Sequence, residues 1–243
     1  MPTYETGHAK NAANLQDLIS FVTGYGVAYN PTKPGILLAA LNTKHTAAVG
    51  RLADVNTALA PHTIAVNTRD ELFAPFAKRI TRVVNAVQAS AVPPSVIDDV
   101  KSIARKLHGQ RAKPKVADDP ATPEDESKQS ISASQMSFDS RIENFHKLIQ
   151  LLGAQPGYGP NEADLTVAAL TTLHTAMVAA NLTVINAYTA VSNTRILRDK
   201  ELYDPLTGLV TVAGDVKTYV KSLFGASSLE YEQISGLRFR RPR

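Results

Sequence analysis

The sequence predicts an all-α protein: an elongated helical bundle of two tandem repeats related by an approximate internal two-fold. Each repeat is a short helix, a long helix and a return helix. Three observations predict this. Apolar residues recur at three- and four-residue spacing over long stretches, the period of one helix face. The stretch Ala39-Ala40-Leu41-Asn42-Thr43-Lys44-His45-Thr46-Ala47 returns as Ala168-Ala169-Leu170-Thr171-Thr172-Leu173-His174-Thr175-Ala176. Aromatics make up only 6% and Trp is absent, and the expected core of Ala, Leu, Val and Thr suits closely packed helices.

The elements follow in order. Residues 1–13 are polar and read as an extended arm. Leu15, Leu18 and Val22 mark a short helix that ends near Gly24-Tyr25-Gly26. Tyr29-Asn30-Pro31 is a turn, and Thr32 is placed to cap the long helix. The long helix carries Leu38, Leu41, His45, Ala48, Leu52, Val55, Leu59, His62 and Val66 on one seam. Pro61 should kink it, because proline removes one backbone hydrogen bond. After Pro75 a return helix carries Phe76, Ile80, Val83 and Val87. Pro93-Pro94 interrupts it, Ser95 is placed to cap a segment from Val96 to His108, and Gly109 ends that segment.

Residues 110–137 form a linker that runs from basic through acidic to Ser-rich, with few apolar residues. The pattern then restarts. Phe138, Ile142, Phe145, Ile149 and Leu152 make the short helix, Tyr158-Gly159-Pro160 the turn, and Asn161 stands where Thr32 stood. The second long helix carries Val167, Leu170, His174, Met177, Leu182, Ile185 and Ile196. Glu201-Leu202-Tyr203-Asp204-Pro205 then answers Glu71-Leu72-Phe73-Ala74-Pro75, and Val216 to Gly225 answers Val100 to Gly109. The expected organisation is one helical domain, 1–243, with repeat one at 14–109, repeat two at 138–225 and polar arms at 1–13 and 226–243.

Cysteine is absent, which excludes disulfides, zinc–thiolate sites and thiol nucleophiles. Residues 1–20 lack the pattern of a signal peptide, and the longest uninterrupted apolar run, Ile36 to Leu41, is too short to span a bilayer. A cytoplasmic protein without membrane association is therefore the default expectation. Lys and Arg number 26 against 22 Asp and Glu. Because Arg238, Arg240, Arg241 and Arg243 fall together, the remainder is balanced.

His45 and His174 share the seam and are the candidate metal ligands. Neither has a carboxylate or second histidine three or four residues away, so the pattern of bundle metal sites is missing. No phosphate loop, nucleophile elbow or zinc-binding His-Glu motif is present. The sequence thus predicts no catalytic residue, no metal and no cofactor. The Arg69-Asp70-Glu71 and Arg198-Asp199-Lys200-Glu201 clusters read as solvated helix ends. In Leu237-Arg238-Phe239-Arg240-Arg241-Pro242-Arg243, arginines with an interleaved aromatic suit docking on a protein surface with Phe239 as anchor, and equally suit phosphate contact and base stacking.

Ser134 to Phe145, Ile185 to Thr189 and Tyr219 to Gly225 resemble an uncharacterised bacterial family of tandemly duplicated helical proteins with no assigned function. The resemblance implies bacterial origin and no chemistry. The leading functional expectation is a non-enzymatic structural or assembly protein that self-associates or binds another protein through the tail. The alternatives are a nucleic-acid-associated protein using the tail's Arg238, Arg240, Arg241 and Arg243, and a metal protein or enzyme centred on His45 and His174.

Overall fold

A computed structural model describes residues 7–110 and 136–241. Over these residues the chain is all-helical, without strands. The α-helices are α1 His8–Gly24, α2 Leu38–Phe73, α3 Phe76–Gln88, α4 Pro94–Leu107, α5 Phe138–Gly153, α6 Val167–Tyr203, α7 Leu209–Phe224 and α8 Leu229–Ser235. They group into two compact units, Met1–Thr63 with Ala187–Arg243, and Ile64–Asn186. The division therefore falls inside the two long helices, not at the linker, and each unit draws on both proposed repeats. Residues 111–135, most of that linker, lie outside the described residues.

The long helices begin later than the expected caps. A single 3-10 turn, Pro34–Ile36, precedes α2, and another, Ala163–Leu165, precedes α6. The expected caps Thr32 and Asn161 therefore lie before these turns and do not start the helices. At α6 the cap is Thr166, whose hydroxyl accepts from the Ala169 amide at 3.2 Å. Each turn is held by a buried tyrosine. The Tyr29 hydroxyl donates to the Ile36 carbonyl and that of Tyr158 to the Leu165 carbonyl, both at 2.7 Å. Burial raises the pKa of both phenols, that of Tyr158 to about 12. Helix α2 runs unbroken through Pro61. That residue is exposed, so the carbonyl its missing N–H leaves unpaired sits on the solvent side.

Along the seam burial follows seven-residue spacing from Leu41 to Val55 and from Leu170 to Val191, with Ala65, Phe73 and Asn181 buried off that spacing. In α2, Leu41, Ala48 and Val55 are buried and His62 half-buried; in α6, Leu170, Met177, Val184 and Val191 are buried. A seven-residue repeat keeps one stripe turned inward over such a stretch. This corrects the sequence assignment for α6. Leu182, Ile185 and Ile196 are 54%, 50% and 62% exposed, because the seam passes through Asn181 and Val184 instead. His45 and His174, four residues after Leu41 and Leu170, are half-buried.

The unit of Ile64–Asn186 is cored by Phe73, Phe76, Ile80, Val83, Phe145, Leu148, Leu152, Leu170 and Met177. This corrects the expected core of Ala, Leu, Val and Thr: the buried phenylalanines are concentrated here, and no threonine is buried among the described residues. Helix α3 packs on α4, and α4 on α5. Pro94 itself starts α4, where its missing N–H costs nothing, so Ser95 is not the cap. Gly157 lies so close to the Ala91 carbonyl that a Cβ there would clash with backbone.

The other unit is cored by Leu15, Leu18, Val22, Leu41, Leu202, Leu209, Val216, Val220 and Ile234. Here α2 and α6 run antiparallel, with Lys44 paired to Glu201 at 2.8 Å and the His62 ring 5.8 Å from that of Tyr188. Both expected polar arms are corrected. Helix α1 starts at His8 and buries Asn11 and Ala12, and residues 226–241 carry α8 and a docked tail.

Truncation tests the heptad. Met177→Ala is expected to cost about 2–5 kcal/mol, and Leu182→Ala no more than about 0.5 kcal/mol, in urea unfolding. Equal losses at the two positions would refute the seam assignment.

Candidate functional site

The described part of the tail, Leu237 to Arg241, lies in a groove formed by α1 and α7. Asn11 and Asn14 are three residues apart and so share one face of α1. Asn11 is 2% exposed. Its side-chain amide donates to the Arg240 carbonyl at 2.7 Å, and its carbonyl oxygen accepts from the Arg240 amide at 3.0 Å. This two-way pairing fixes the amide's orientation and copies the exchange between neighbouring strands. Asn14 donates to the Arg238 carbonyl at 2.8 Å.

From α7, Lys217 donates to the Ser235 carbonyl at 3.1 Å and also to that of Leu237, which satisfies the C-terminal end of α8. Its ammonium is 5.7 Å from the Phe239 ring centroid, and burial lowers its pKa. The Arg241 guanidinium donates to the Thr211 hydroxyl at 3.3 Å.

The tail alternates as an extended segment does. Leu237 and Phe239 turn toward the core, while Arg238, Arg240 and Arg241 are exposed. The groove thus reads main-chain atoms and two apolar side chains, and of the exposed arginines it takes the Arg241 guanidinium on Thr211. Of the residues expected to bind a partner, Phe239 is seated on its own chain, and Arg243 lies outside the described residues. The sequence signal missed here is the pair of Asn11, in the stretch read as an arm, and Asn14, the first residue of repeat one.

The histidines are distributed, with His45 in one unit and His174 in the other. The His174 ring lies 5.0 Å from that of His146 and 6.2 Å from that of Phe145. Burial first, and the neighbouring His146 second, lower its pKa. Among the described residues no group of three or more His, Asp or Glu is placed to hold a metal ion. His8 shares a hydrogen bond of 2.8 Å with the Tyr203 hydroxyl, and its pKa is lowered by burial and then by Arg198. It lines a cleft of about 420 Å³ with Lys10, Leu52, Val55, Arg195 and Arg198.

The charged clusters at the helix ends are less solvated than their composition implies. Arg69 and Arg198 side chains are 15% and 13% exposed. Arg69 stacks 3.6 Å from the Phe138 ring centroid and donates to Asn181, which in turn donates to Asp139. Arg198 is held by Asp199 at 2.7 Å.

Helix α6 has one further property. From Val167 through Thr194 it contains no Asp, Glu, Lys or Arg. Among the described residues it is the one helix long and apolar enough to cross a membrane, judged by length and composition. Its best 18-residue window has mean hydropathy 1.4 and is 22% buried. Counting uninterrupted apolar runs passes over this helix, because Thr and Asn are scattered through it. Compared with known proteins, the chain matches no protein-family model, no curated protein and no solved structure.

Two predictions follow from this geometry. Asn11→Asp reverses the donor that meets the Arg240 carbonyl and is expected to weaken tail docking by about 1–3 kcal/mol. Limited trypsin treatment read by mass spectrometry should then release the tail at Arg238 and Arg240 faster than in the parent protein. An unchanged rate would remove the clamp's role.

The second prediction concerns pH. The folded-state pKa values of His8 and His174 lie below the unfolded value of 6.5. On acidification the unfolded chain takes up these protons first, so stability present above about pH 6.5 is lost as pH falls through the folded values. Melting temperature should fall across that range, and less steeply in His174→Gln.

Proposed function

We propose that this is a non-enzymatic assembly protein that associates with further copies of itself. The observation that carries the proposal is the uncharged outer face of α6. Val178, Leu182 and Ile185 share one helix face by their spacing and are 42%, 54% and 50% exposed, within a stretch that contains no charge. Helix faces bathed in water normally carry charged residues. A face without charge offers a foreign partner no electrostatic selectivity, whereas the same face of a second copy matches it in polarity. Ala and Thr around these residues let two helices approach closely.

The reading includes a duplicated architecture with an approximate two-fold equivalence between the repeats. It is supported by the matched Tyr29 and Tyr158 hydrogen bonds, by the 3-10 turn before each long helix, and by helices of 36 and 37 residues. The same offset of 129 residues relates Leu41 to Leu170, Ala48 to Met177 and Val55 to Val184. The kinship to a bacterial family of duplicated helical proteins belongs to the proposal too, resting on the stretches that resemble it.

A second reading is nucleic-acid association, favoured by the solvent exposure of Arg240 and Arg241 on the docked tail. Multi-angle light scattering distinguishes the readings. The parent should show a multiple of the 26.1 kDa chain mass, and Leu182→Lys with Val178→Lys should shift it toward the single-chain mass. A parent that stays at one chain mass would overturn self-association. Salt-sensitive retention of RNA or DNA would then favour the second reading, and flotation with lipid vesicles would assign α6's face to a membrane.

A further inference from the structure

We propose that the α1–α7 groove is a binding site for an extended peptide, and that its ligand in assemblies is the C-terminal tail of a second copy. The inference rests on the self-association proposed above and names the element exchanged.

Three features of the groove carry it. Recognition is directed at main-chain atoms. Asn11 pairs with both the amide and the carbonyl of Arg240, Asn14 takes the Arg238 carbonyl, and Lys217 takes the carbonyls of Ser235 and Leu237. Two buried asparagines facing one extended segment form a built site, because an amide side chain sealed from water requires partners of matching geometry. Specificity comes from Leu237 and Phe239, the two tail side chains that pack on the core. The ligand class is therefore an extended peptide with an aliphatic and an aromatic side chain two residues apart, as Leu237 and Phe239 are.

A second copy carries that peptide with every contact unchanged, which is the condition for exchanging an identical element between protomers. The connection permits the exchange. Between α7 and α8 the chain passes through Gly225 at φ 97°, a left-handed conformation that glycine adopts without strain, and then through exposed Ala226 and Ser227. Rotation there redirects α8, with its buried Ile234, and the tail together as the exchanged segment without unfolding α7. In cis the tail closes its own groove; in trans the same contacts join two chains.

The test uses full-length protein with photoreactive p-benzoylphenylalanine at Phe239. Unlabelled and ¹⁵N-labelled copies are mixed in equal amounts at high concentration, then diluted and irradiated, and cross-linked peptides are read by mass spectrometry. Exchange predicts cross-links between the tail of one isotope and α1 or α7 peptides of the other, approaching about half of all tail cross-links. Asn11→Asp should abolish them.

Isotope-filtered NOEs from the Phe239 ring to amides of the other isotope's residues 211–217 read the same contact in the unsubstituted protein. Same-isotope contacts alone, in both measurements, would overturn the proposal. If they accompany a multi-chain mass, tail exchange fails while association through α6 stands. If they accompany a single-chain mass, both fail. Mixed-isotope contacts that persist in Leu182→Lys support exchange while removing the α6 face as the contact.

Discussion

The heptad burial along the two long helices is the constraint on which the rest of the structure depends. Helices of 36 and 37 residues have little independent stability of the required precision; their persistence comes from a stripe kept out of water along their whole length. Leu41, Ala48 and Val55, then Ala65 and Phe73, supply it in α2, and Leu170, Met177, Val184 and Val191 supply it in α6. The short helices are then lids on it. In one unit α1 and α7 cover the seam's apolar neighbours, and in the other α3, α4 and α5 do so.

The buried asparagines of these cores are held, while Arg69 and Arg141 each keep one buried guanidinium Nε without a hydrogen-bond partner and rest on phenylalanine rings instead. Asn181 stands on the seam between Arg69 and Asp139, and Arg69 lies flat on Phe138. Such a network specifies register more than it adds stability, since an amide sealed in an apolar seam tolerates one alignment of its partners. Asn11 and Asn14 apply the same chemistry to a different end. They spend their hydrogen bonds on the backbone of a segment far away in sequence, and so tie the C-terminal tail to the first helix of the chain.

The two candidate association surfaces differ in character. The α6 face is uncharged and regular, built from residues one helical face apart. The tail groove is polar at its floor, selects an extended backbone and leaves Arg240 exposed. A protein using both would combine a broad apolar contact with a directional one, the usual division between complementarity and anchoring in interfaces.

Much of the fold was legible in the sequence because helix period and proline breaks are local signals. The long helices, the ends before Pro75 and Pro205, and the all-α class follow from spacing alone. Three things did not. Leu182, Ile185 and Ile196 were assigned to the seam because three- and four-residue spacing admits more than one stripe; only packing against neighbours chooses Val184 and Val191 instead. The starts of α2 and α6 were misplaced because a 3-10 turn intervenes, held by tyrosines whose partners are seven residues on. Residues 1–13 and 226–243 each look like polar arms when taken singly. Asn11, Asn14 and Lys217 are polar residues whose partners are carbonyls and amides contributed by distant chain, a pairing no local pattern records. Composition determined that the chain is helical; tertiary structure decided which apolar residues face water and what the tail binds.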